Sequence, residues 1–95
     1  MPSNKPNPTG LAKAASRLLE VQSEVEKFLS KIVKSKDFAV RFDEAVRNED
    51  RKLIKQLAKE GGITKRIEIE ELDPDQKVKI RICVFTLCHT FVIGW

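Results

Sequence analysis

The stretch RIEIEELDPDQKVKIRICV, residues 66–84, decides the fold class. Ile67 and Ile69 alternate with Arg66, Glu68 and Glu70, and Val78, Ile80, Ile82 and Val84 alternate with Lys77, Lys79 and Arg81. A period of two places the apolar side chains on one face of a strand. Between the two runs, Asp73-Pro74-Asp75-Gln76 puts proline at the second position of a type I turn. The pattern predicts an antiparallel β-hairpin, and charge sets its register. When paired residue numbers sum to 149, Glu70 faces Lys79 and Glu68 faces Arg81 on one side, while Ile69 meets Ile80 and Ile67 meets Ile82 on the other. A sum of 147 would set Arg66 against Arg81, so cross-strand pairs favour 149 by about 1 kcal/mol.

Downstream, the apolar positions change parity. Phe85, Leu87, Phe91, Ile93 and Trp95 are all odd-numbered, and no Gly, Pro, Asn or Asp stands between Asp75 and Gly94 to favour a tight turn. Residues 77–95 are therefore expected to form one long bent strand, with a bulge near residues 83–86, or two strands joined without a conventional turn. A strand of that length would run about 60 Å at ~3.3 Å per residue, and the first strand could pair with only its first third.

Upstream of residue 66 the period is helical. Leu11, Leu18, Val25 and Ile32 recur every seven residues with Ala14, Val21 and Phe28 between them, which predicts an amphipathic helix over about 11–34 with Thr9 as its N-cap. Phe38, Phe42, Ala45 and Val46 give a second helix over about 37–47, and Leu53, Ile54, Leu57 and Ala58 a third that ends at Gly61-Gly62. The second and third helices can also be read as one bent helix. Residues 1–10, MPSNKPNPTG, offer no apolar face and are expected to be a disordered arm, leaving 11–95 as a single α+β domain.

The chain has 95 residues, 41% hydrophobic and 34% charged, with a net charge of +4. Residues 47–66 alone hold seven basic and three acidic side chains. Arg47, Arg51, Lys55 and Lys59, spaced by four, suggest a basic ridge on the third helix that could follow an anionic backbone. No aromatic residue lies between Phe42 and Phe85, so stacking on single-stranded bases has no platform there. The carboxylates are matched to nearby cations, and Gly61-Gly62 follows a helix instead of opening one, so neither acid–base catalysis nor a phosphate loop is indicated. Cys83, Cys88 and His89 are too few for a structural zinc site and, in one extended strand, face different ways. The apolar run 84–95 is too short to span a bilayer.

These residues predict a non-enzymatic protein without metal or cofactor. Two cysteines and no apolar leader point to a reduced, cytoplasmic protein and to two buried thiols. The expected partner is a second copy of the chain, joined through the C-terminal strand with Phe85, Leu87, Phe91, Ile93 and Trp95 at the interface, or an unidentified protein. A nucleic acid held by Arg47, Arg51, Lys55 and Lys59 is the alternative; a membrane is not expected.

Overall fold

The computed structural model describes residues 5–95. Three helices, α1 (Pro8–Lys34), α2 (Lys36–Arg47) and α3 (Arg51–Glu60), precede three strands, β1 (Arg66–Asp73), β2 (Lys77–Val84) and β3 (Leu87–Gly94). The strands form one antiparallel sheet in the order β1-β2-β3, and the helices pack on one of its faces. The fold is α+β, with the helices N-terminal and the strands C-terminal.

Each helix boundary has a local cause. The α1 helix begins at Pro8, three residues before the periodicity suggests, because Asn7 and not Thr9 is the cap: its side chain accepts from the Gly10 N–H at 3.0 Å, with proline in the first turn. Of the expected arm, residues 1–4 lie outside the described residues. Ser35 ends α1 and caps α2 by accepting from Phe38 N–H at 3.2 Å. Helices α2 and α3 are separate, divided by a turn in which Glu49 has φ 52° and Asp50 accepts from Leu53 N–H at 3.1 Å. Gly61 closes α3 directly against Phe28, where a Cβ would lie 2.6 Å from the ring, and Gly62 has φ 116°, so this reversal requires both glycines.

The first hairpin keeps the expected register at its open end, with Ile67 opposite Ile82, Glu68 opposite Arg81 and Ile69 opposite Ile80. It departs at Glu70, which is the extra residue of a β-bulge, so Lys79 stands opposite Glu71. The turn explains the departure. Pro74, Asp75 and Gln76 form a three-residue loop closed by Gln76 N–H on the Asp73 carbonyl at 3.0 Å, with Gln76 at φ 80°. That loop imposes a register of 150 next to it, and the bulge restores 149 further on. It also lets Ile69 and Leu72, three apart, both pack against the core.

Residues 77–95 are two strands, not one bent strand. They are joined by the two residues Phe85 and Thr86, with Val84 opposite Leu87 and Lys77 opposite Gly94. Phe85 takes φ 56°, a conformation usually left to glycine or asparagine, so the turn forms without turn chemistry. Its odd register sum explains the parity change: even-numbered residues of β2 and odd-numbered residues of β3 face the same side. The expectation that most of 77–95 has no partner within the chain is thereby corrected.

The core lies between this face and the helices. Phe28 sits at its centre, fully buried, with ring centroids 6.1, 5.3 and 6.4 Å from Phe38, Phe42 and Phe91. Val78, Ile80 and Ile82 of the central strand are fully buried below it. A buried carboxylate ties α1 to the segment before β1: Glu24 accepts from the Thr64 N–H at 2.6 Å and hydroxyl at 2.8 Å, with Lys65 Nζ at 3.4 Å. Burial alone would raise the Glu24 carboxyl, but the two Thr64 bonds and the Lys65 ammonium outweigh it and hold it below its ordinary range.

Candidate functional site

The two edges of the sheet are built differently, and the difference locates the candidate site. In β1, five of eight residues are charged: Arg66, Glu68, Glu70, Glu71 and Asp73. The bulge at Glu70 breaks its regularity, and Arg51 Nη1 donates to the Ile69 carbonyl at 3.0 Å. Ile69 and Ile80 form a pair whose backbone groups turn away from each other, so this bond caps a carbonyl on the free edge. Charge, bulge and cap are all devices that keep a sheet edge from pairing.

The β3 edge has none of them. Its sequence LCHTFVIG contains no Asp, Glu, Lys, Arg or Pro, and its pairing with β2 is regular over eight residues. The Trp95 N–H bonds to the Gln76 carbonyl at 2.9 Å, which fixes the alternation: odd residues of β3 bond to β2, and Cys88, Thr90, Val92 and Gly94 direct their N–H and C=O groups outward. Among the described residues, no other segment bonds to these four outward positions.

The expected interface residues are divided by this geometry. Phe91 and Ile93 are partly buried against the core, beside Leu87 on the inner face. Trp95 docks on α2, its ring 6.3 Å from Phe42 and its Nε1 donating to Asp43 at 3.0 Å, yet remains 45% exposed. It closes a groove of about 300 Å³ with Ile32, Ala39 and Val40. Phe85, at the hairpin tip, is 76% exposed, with the Arg17 guanidinium 5.0 Å from its ring centre.

Helix α1 adds apolar surface on the same side. Its residues Glu20, Glu24 and Lys31 face the α3–β1 side, bonding to Lys65, Thr64 and the Glu60 carbonyl. At about 3.6 residues per turn, Leu11, Leu18, Leu29 and Val33 fall on the opposite flank, interrupted by Gln22 and Glu26. All four are exposed, Leu11 at 72% and Val33 at 85%. Since α3 packs over β1 and α1 over β3, this flank looks toward the β3 edge.

The basic ridge is not continuous. Arg47 is the last residue of α2, held by Asp43 at 3.2 Å, and Arg51 is committed to the Ile69 carbonyl. Lys55 and Lys59 lie on α3 without an ion pair among the described residues. On the outer face of the sheet the charges neutralise one another: Arg81 meets Glu68 at 2.8 Å and Glu70 at 3.2 Å, and Lys79 meets Glu70 at 3.7 Å.

The cysteines depart most from the expectation of two buried thiols. Cys83 and Cys88 face each other across β2 and β3 and are joined as a disulfide, with Cα atoms 4.1 Å apart, the close spacing of a pair that does not exchange backbone bonds. Opposite faces would follow for a single extended strand; the Phe85–Thr86 turn puts both on the outer face. The sequence did hold a signal, since a parity change flanked by cysteines five apart fits a two-residue hairpin. His89 lies on the inner face and stacks on Phe91, away from both sulfurs. Among the described residues, no cluster of His, Cys, Asp and Glu is arranged to hold a metal ion, and no helix is long and apolar enough to cross a membrane. Comparison with family models, with curated proteins and with solved structures finds no match.

Proposed function

We propose that the chain is a small, non-enzymatic assembly protein that self-associates through β3. The observation that carries this reading is the uncharged, regular β3 edge with outward backbone groups at Cys88, Thr90, Val92 and Gly94. A second copy is the occupant that fits. Antiparallel pairing of β3 with itself brings no like charges together, whereas β1 against β1 would oppose carboxylates, and β1 against β3 would meet the bulge and the Arg51 cap. Pairing about a two-fold axis closes the assembly and yields a six-stranded sheet. It also brings the Leu11–Leu18–Leu29–Val33 flank of α1 toward its counterpart and further covers Leu87, Phe91 and Ile93. Phe85 and Trp95 flank the seam at either end of the strand.

With Arg47 and Arg51 engaged within the chain, no observation favours the nucleic-acid alternative. Sedimentation equilibrium combined with hydrogen exchange tests the reading. A dimer at micromolar concentration, with the amides of Cys88, Thr90, Val92 and Gly94 protected only at concentrations where it forms, is the expected result. A well-folded monomer throughout, or a dimer that leaves those four amides unprotected, overturns it.

A further inference from the structure

The assembly reading uses the Cys88 backbone but not the Cys83–Cys88 disulfide, which has an asymmetry of its own. Cys83 is only 3% exposed, between β1 and β3, whereas Cys88 is exposed on the outermost strand. A thiolate attacks a disulfide in line with the sulfur–sulfur bond, opposite the sulfur that leaves. For attack at Cys88 Sγ, the approach is from the side away from β2, toward the free β3 edge where Cys88 is exposed. For attack at Cys83 Sγ, it runs back over β1, where Arg66 stands opposite Cys83 and pairs with Glu68 at 3.4 Å.

The bond also has little left to hold. Eight consecutive pairs already join β2 to β3, and the closed loop is short, so its entropic contribution is at the low end for disulfides. The β1–β2 hairpin forms without one. What the bond does constrain is the Phe85–Thr86 turn, whose positive φ at Phe85 has no local residue preference behind it.

We propose that Cys83–Cys88 is a thiol–disulfide exchange site whose substrate is a dithiol reductant entering at Cys88. The reductant's thiolate bonds to Cys88 Sγ and the sulfur–sulfur bond breaks, so that Cys83 leaves as a thiolate and takes a proton from solvent. The reductant's second thiolate then displaces Cys88, which is protonated in turn. Two electrons and two protons pass from the dithiol to the pair, and the reductant ends as a disulfide. Opening the bond releases the turn and with it the Phe85 ring from Arg17.

Glutathione, a monothiol whose first attack leaves a mixed disulfide that acid traps before a second thiol resolves it, is the probe. The oxidised wild-type chain is treated with reduced glutathione, quenched with acid, and mapped by mass spectrometry. Glutathione is expected on Cys88 and not on Cys83. In parallel, Cys83→Ser should be modified by glutathione disulfide at least ~10-fold faster than Cys88→Ser, since reactivity follows thiolate access. Glutathione on Cys83, equal rates in the two variants, a bond that resists the reduced glutathione buffer, or free thiols after air oxidation each overturn the proposal. The wild-type mapping does not depend on either variant folding. Measurement is made on dilute and concentrated protein: exchange that slows on concentration bears on the assembly reading alone, because a second β3 would lie across the approach to Cys88.

Discussion

The two edge strands of this sheet share a central strand but meet solvent under opposite rules. In β1 the carboxylates of Glu68, Glu70 and Glu71, the bulge at Glu70 and the Arg51 bond to the Ile69 carbonyl leave no regular row of free backbone groups. In β3 that row is intact and uncharged. The helical layer repeats the contrast. On the β1 side α1 is tied down through Glu20, Glu24 and Lys31, whereas its β3-side flank shows Leu11, Leu18, Leu29 and Val33 to solvent. One side of the molecule is closed off within the chain; the other leaves an uncharged strand edge and apolar side chains exposed.

The largest expected effect removes what the edges share. Ile80 is fully buried in β2 and pairs with Ile69 on one side and Phe91 on the other. Ile80→Ala should cost ~2–5 kcal/mol in urea unfolding and loosen both edges together. Loss of protection confined to β3 amides would show that the edges are stabilised separately.

Next comes the tether on the closed side. Glu24→Gln removes a charged acceptor from Thr64 and Lys65 and should cost ~1–3 kcal/mol by denaturant titration. The lowered carboxyl of Glu24 also fixes a sign. Its contribution is fully present above the ordinary carboxylate range and is lost as pH falls through the lowered native value. The wild type should therefore lose stability in acid more steeply than Glu24→Gln, and parallel pH profiles would contradict this.

On the open side, Val92→Lys gives β3 the protection that β1 has. Val92 faces outward and is 53% exposed, so the monomer should keep its stability while self-association weakens by at least ~10-fold, about 1.4 kcal/mol. Unchanged sedimentation would mean that β3 is not the contact. The smallest effect is on the outer face, where Glu68→Gln removes a carboxylate facing Arg81 and should cost only ~0.2–1 kcal/mol, measured as a shift in the urea midpoint.

Much of the fold was legible in residues whose cause is local. A period of seven placed α1, apolar faces at i, i+4 and i+7 placed the helical stretch of α2 and α3, a period of two placed β1 and β2, Gly61-Gly62 marked the end of α3, and the Glu68–Arg81 pairing followed from cross-strand charge. The bulge was not legible, because it reconciles two requirements seen only together: a three-residue loop after Asp73 and inward-facing Ile69 and Leu72. For the candidate site, the apolar run at 85–95 was visible, but its pairing was not. The sequence did not show which four backbone positions face outward, nor that Arg51 serves the β1 edge and not a ridge.

The sequence by itself determined the class, α+β, the helical and strand periods, and the register of the first hairpin beyond its bulge, since each depends on side chains a few residues apart. Only the tertiary structure decided the reversal at Phe85–Thr86. Eight cross-strand pairs, burial of Ile80 and Ile82 beneath Phe28, and the bond between Cys83 and Cys88 together outweigh the unfavourable φ of one phenylalanine, and none of those terms can be read from the turn residues themselves.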